Sequence, residues 1–271
     1  MNRKLPQPDR DRVSTLTALL LLTYILIRIV VLPSLETEFY VLGLVIRFEF
    51  STSSIMLTLA AALAVAGSDW LIRSHPGIEE GRVRLEHWVI PGLAALGAGA
   101  ILIRIPEGPA FWIGLILTAT LLIAVLISEF IVLDPEDPRC DNAAIGLTAL
   151  AYLLLIGALF AIRAIGLRAA FAIPLILFAS GAVAWRLLRL AQVGNSSVQY
   201  ALLISGLTAQ IAWGIHYWPL PPLTGALILG LVVYLGNGLA LAHEGGTLER
   251  IRIIEFAAVG LIAMVAILTL A

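Results

Sequence analysis

Nine apolar runs of about twenty residues recur along this chain, and that recurrence decides its solvent before any motif is considered. A helix rises about 1.5 Å per residue, so roughly 20 apolar residues cross the ~30 Å hydrocarbon core of a bilayer. Such runs fall at 13–32, 53–73, 87–104, 110–133, 143–163, 168–189, 198–218, 222–243 and 253–271. The breaks between them carry helix-stopping punctuation: Pro33, "HPG" at 75–77, "PEGP" at 106–109, "DPEDP", "GNSS" at 194–197, "PLPP" at 219–222 and "EGG" at 244–246. Hydrophobic residues make up 60% of the chain and charged ones 13%, against about half and a quarter in soluble domains. The expected fold is all-α: a polytopic membrane protein of nine transmembrane helices.

The first run follows a charged tail, residues 1–12, and is too long for the apolar part of a secretory signal. It reads as the first membrane helix behind a cytoplasmic tail. Segment 36–51, "ETEFYVLGLVIRFEFS", is too short and interrupted to cross, and its end alternates apolar with polar residues. A re-entrant or interfacial element is expected there. Arginine and lysine in the short loops set orientation. With the N-terminus inside, twelve of the seventeen fall on the cytoplasmic side, which predicts a plasma-membrane protein with an exterior C-terminus. A net charge of −1 gives no reason to expect nucleic acid, and Cys140, the only cysteine, cannot form an intrachain disulfide.

The chain also resembles itself. "LTALLLLTYILIR" in the first helix matches "LTALAYLLLIGALFAIR" in the fifth, Trp70 matches Trp185, Pro109 matches Pro222, and Glu129 matches Glu244. The offset drops between the first pair and the others by about the length of segment 36–51. Four helices per copy is an even number, so the copies would run parallel, related by an axis along the membrane normal. The expected organisation is a first four-helix unit at 13–142 with segment 36–51 inserted, a second at 143–250, and a final helix at 251–271. Chance alignment of low-complexity apolar sequence is the competing explanation.

The stretch "SEFIVLDPEDPRCDN" sets Asp134, Asp137 and Asp141 in the pattern D-x-x-D-x-x-x-D. That spacing resembles the first aspartate motif of intramembrane aromatic prenyltransferases, and the resemblance implies Mg²⁺ ligation by these three carboxylates. Here, however, the motif follows the fourth helix, Pro135 and Pro138 interrupt any helix that would align the acids, and the loop after the sixth helix has none. A solvated turn is the favoured reading, with no metal and no cofactor expected.

Ionisable groups within a membrane helix are costly and need a reason. Asp69 and Arg73, four apart, form a self-neutralising pair by spacing. Arg186 and Arg189 suit headgroups or a ligand. Glu129 and Glu244 end their helices against the dipole, which favours cations there, so arginine partners on neighbouring helices are expected. Gly206, Gln210, Trp213 and Tyr217 recur at helical spacing on the seventh helix, and Gly230, Tyr234, Asn237 and Glu244 on the eighth. Lipid offers these groups no hydrogen bond, so both stripes are expected to face the protein interior. They serve there as interhelical glue or as a cavity lining. The candidate binding residues are Gln210, Tyr217, Tyr234 and Asn237, with Glu129 and Glu244 at the cytoplasmic mouth. "HYWPLPP" at 216–222 reads as an aromatic interfacial belt.

"GSDWLIRSHP", "EHWVIPGL", "SEFIVLDPEDP" and "IHYWPLPPL" together resemble an uncharacterised family of bacterial multi-pass integral membrane proteins, which implies a fold and a location. No metalloprotease H-E-x-x-H, phosphate-binding glycine loop or serine nucleophile elbow occurs. The first functional class is a non-catalytic accessory or assembly component, the alternative a carrier for a small or lipid-like solute, and the third an Mg²⁺-dependent prenyltransferase-like enzyme. The lipid bilayer is the one partner expected.

Overall fold

Asp9 opens the first helix by accepting the backbone N–H of Asp11 at 3.0 Å, which satisfies one donor that the first turn leaves unpaired. In the computed structural model, helix α1 therefore spans Arg10–Ile29, three residues earlier at each end than its apolar run. Residues 6–30, 35–41, 44–75, 85–194, 196–246 and 250–269 are described. Arg3, Lys4, Arg82, Arg84 and Glu249, which bear on orientation or on the acidic motif, lie outside them.

After α1, strand β1 (Leu35–Val41) pairs antiparallel with β2 (Leu44–Phe50), from Leu35 opposite Phe50 to Val41 opposite Leu44. The two strands cover most of the segment expected to be re-entrant or interfacial. The alternation in "IRFEF" is a strand period. A two-stranded ribbon also leaves both outer edges unpaired, which the hydrocarbon core cannot satisfy. Ser51 then caps α2 (Thr52–Ile72) by accepting the N–H of Ser54.

A short 3₁₀ turn, Leu85–Trp88, leads into α3 (Val89–Arg104), and the linker 105–108 joins it to α4 (Pro109–Ile131). Gly108 takes φ +139°, a conformation that suits glycine, and Pro109 starts the next helix. The remaining helices are α5 (Cys140–Ile165), α6 (Ala169–Leu190), α7 (Ser197–His216), α8 (Pro222–Glu244) and α9 (Arg250–Thr269). Apart from the one hairpin, the described architecture is helical.

Contacts divide the chain into two compact units, Met1–Ala143 and Ala144–Ala271. Within the first, Val13 and Leu16 of α1, Leu71 of α2, and Leu126 and Phe130 of α4 form a buried cluster. Gly67 brings α2 so close to α1 that a Cβ there would overlap the Leu16 side chain. Tyr24, buried, donates its hydroxyl to the Ala95 carbonyl at 2.7 Å and so ties α1 to α3. Within the second unit, α6 and α7 associate closely through small residues, with Ser205 packed at Gly181. On α8, Ile156 of α5 fills the notch at Gly230, and Phe256 of α9 fills the one at Gly238.

Candidate functional site

Each unit has a near end, where its first helix begins, and a far end. At the near end of the first unit, Glu129 lies one turn from the end of α4, where the helix dipole disfavours a carboxylate. Its Oε2 is 2.7 Å from Nδ1 of His87 in the 3₁₀ turn before α3, and the two residues are 1% and 4% exposed. The Ser68 hydroxyl of α2 donates to the His87 carbonyl at 3.3 Å. His75, also buried, sets its ring edge-on against Phe130 at 4.7 Å, next in sequence to Glu129, and Glu86 is buried beside His87. The pair is closed off from water, so losing either partner removes a short buried hydrogen bond.

The acidic turn lies at the same end. Asp137 is buried, accepts the Arg139 backbone N–H at 2.8 Å and pairs with its guanidinium at 2.7 Å. That hydrogen bond holds its carboxyl below the usual carboxylate range. Asp134 accepts the Glu136 N–H at 3.2 Å, and Asp141 sits in the first turn of α5. Among the described residues, no three His, Cys, Asp or Glu side chains group as a metal would require. Asp69 and Arg73 pair at 2.6 Å, as their spacing predicts. Arg12 lies over the Trp70 ring and donates to its carbonyl.

In the second unit, Glu244 ends α8 and stays exposed, accepting from the hydroxyls of Ser196 at 3.0 Å and Tyr200 at 3.2 Å. These donors stand where arginine was expected, because they lead into α7 and a neutral hydroxyl suffices for a carboxylate that keeps its water. Deeper along α8, Asn237 is 3% exposed and donates its amide to the Tyr152 hydroxyl of α5 at 3.1 Å. Its Oδ1 is buried without a protein partner. The Tyr234 ring meets Tyr152 edge-on at 5.7 Å and remains half exposed.

The stripe on α7 does not face the interior of its unit. Gln210 and Trp213 are exposed, and Tyr217 is 79% exposed. The buried face belongs to Ala201, Ile204, Ser205, Thr208, Ala209 and Ala212, because close helix approach selects small side chains. Asn237 and Gln210 therefore do not share one interior space. Of the two roles expected for Arg186, headgroups or a ligand, its burial disfavours the first: it is 2% exposed and among the largest fully buried side chains.

The far ends each hold an arginine against the fourth helix. Arg28 donates to the carbonyls of Leu102, Ile103 and Ile105 at the end of α3, with its guanidinium 5.2 Å from the Phe111 ring near the start of α4. Arg163 packs its guanidinium at Gly225 in the first turn of α8, where a Cβ would collide with it.

Eight of the nine described α-helices are long and apolar enough to cross a membrane, the one that includes the lead-in turn of α3 among them; α9 is apolar from Ile253 to Thr269. These helices define a multi-pass membrane protein embedded in the lipid bilayer. The chain belongs to the DUF5656 family, described as a protein of unknown function, whose model matches residues 32–270. No curated protein and no solved structure matches it.

Proposed function

We propose that the chain is a carrier for a small or lipid-like solute, formed by duplication of a four-helix unit. The observation that supports this reading is the Tyr152–Asn237 pair inside the second unit. A buried amide kept only to join helices is expected to match both of its ends, since lipid supplies no alternative partner. Here one end is left for something else.

Parallel contacts support the duplication. In both units a glutamate in the last turn of the fourth helix bonds the start of the third, Glu129 to His87 just before α3 and Glu244 to Ser196 and Tyr200 at the start of α7. In both, an arginine late in the first helix packs on the first turn of the fourth. The arginine bias supports a cytoplasmic N-terminus and an exterior C-terminus. A phosphatase fused to the C-terminus should then be active, and activity of a cytoplasmic reporter there would overturn the orientation.

The carrier reading is tested in vesicles containing the purified chain and a fluorescent lipid analogue. Chemical bleaching from outside should exceed the half expected of the outer leaflet, and bleaching equal to that of protein-free vesicles would sink the reading. A second reading, an accessory or assembly component, is favoured by the exposed Gln210, Trp213 and Tyr217 on α7. It predicts a complex larger than the single chain after mild extraction, lost on joint Gln210→Leu and Trp213→Leu substitution. The Mg²⁺-dependent enzyme reading stands third, because Asp137 is already held by Arg139.

A further inference from the structure

We propose, on the basis of the carrier reading, that Tyr152, Tyr234 and Asn237 form a site for the hydroxyl group of a neutral, lipid-like alcohol. The first argument is hydrogen-bond arithmetic. Asn237 Nδ2 uses one lone pair of the Tyr152 hydroxyl, which leaves Asn237 Oδ1 as an acceptor and the Tyr152 proton as a donor. Turning the amide over exchanges the two ends and still leaves one of them unmatched. A group that both donates and accepts answers this pair, and the hydroxyl of an alcohol is one that does. Tyr234, i−3 from Asn237 on the same helix, sets a second tyrosine edge-on to the Tyr152 ring.

Charge decides the class of ligand. Between Asp141 and Arg163 on α5, and ahead of His243 on α8, neither helix carries an acidic or basic residue. Neither helix of the pair offers an ionised headgroup a countercharge, and burying a charge without one costs far more than a hydrogen bond returns. Depth narrows the class further. Asn237 lies seven residues before Glu244, about 10 Å along the helix axis, so its partner has left the plane of the helix end. A single hydroxyl on an apolar body can sink that far. The approach is from the outer face, since Tyr234 is 47% exposed while Asn237 is 3% exposed.

The test uses the full chain in lipid nanodiscs and follows thermal unfolding with four additives: oleyl alcohol, oleic acid, 1-octadecene and glycerol. Near saturation, oleyl alcohol should raise the melting temperature by about 5 °C, by linkage of binding to folding. The acid, the hydrocarbon and glycerol should each leave it within about 1 °C. Asn237→Leu should abolish the rise. Tyr234→Phe, which removes one hydroxyl from a half-exposed ring and leaves the fold intact, should lose most of it. Stabilisation by octadecene equal to that by the alcohol would overturn the site, as would a response from glycerol alone or a wild-type response from Tyr234→Phe. Alcohol-dependent stabilisation without lipid flux keeps the site and removes the carrier reading; flux without it does the reverse.

Discussion

Both units close their near end with a glutamate on the fourth helix, and they treat it in opposite ways. Glu129 is sealed from water against His87, whereas Glu244 stays in reach of water with two hydroxyls. The difference lies in what leads into the third helix. His87 gives Glu129 a short hydrogen bond away from water, whereas Glu244, with the hydroxyls of Ser196 and Tyr200, also keeps its contact with water. Burial of the acid thus goes with the chemistry of its partner, Glu129 lying two residues inside the end of α4 and Glu244 at the end of α8.

The largest expected effect would break this comparison outright. Glu129→Leu should cost about 3–5 kcal/mol, because it breaks a buried hydrogen-bonded pair, while Glu244→Leu should cost less than about 1 kcal/mol, as exposed polar contacts do. Joint Glu129→Leu and His87→Leu should recover more than half of the first loss. Unfolding in mixed micelles at graded denaturant measures all three, and equal costs for the two glutamates would end the contrast.

A smaller effect sharpens the contrast in packing. Gly67→Ala drives a methyl into Leu16, itself fixed in the buried cluster, and should cost about 1–3 kcal/mol. Gly206→Ala on α7 meets open space and should gain about 0.5–1 kcal/mol from helix preference. Melting temperatures should move in opposite directions.

The smallest effect concerns the acidic turn. Asp137 is held below the ordinary carboxylate range by Arg139, so its contribution to stability is complete above the unfolded value of about 3.9 and drains away as pH falls through its lower folded value. Asp137→Asn should flatten the acid side of the stability profile. Asp134→Asn and Asp141→Asn, at exposed or half-exposed carboxylates, should leave it within about 0.5 kcal/mol of wild type.

Hydropathy made the helices legible because crossing a bilayer demands length and apolarity, and both are written locally. Helix ends shifted by a few residues because caps such as Asp9 and Ser51 lie outside the apolar run. The Asp69–Arg73 pair was readable for the same reason of local spacing. The His87–Glu129 pair was not, since its partners are separated by 42 residues and "EHW" reads as a helix start. One signal did point to it: an acid at a helix C-terminus asks for a compensating neighbour. Polarity alone misplaced Gln210 and Tyr217, because the interior of the closely packed α6–α7 pair went to serine, threonine and alanine. The Tyr152–Asn237 contact joins helices 85 residues apart in sequence, and only Asn237 stood out beforehand.

The linker 105–108 between α3 and α4 bears on how the chain is made. α3 has sixteen residues, studded with Gly92, Gly97 and Gly99, and is less apolar than α4, which follows it. Leaving the ribosome first, such a segment gains little by entering lipid alone. With so few residues between them, α4 cannot partition without drawing α3 along, so the two are expected to enter the translocon's lateral gate as one helical hairpin. Lengthening that linker with a flexible spacer should leave α3 stalled on the cytoplasmic side in a fraction of nascent chains, visible as a loss of glycosylation at an acceptor site placed in the spacer, which the proposed orientation puts outside.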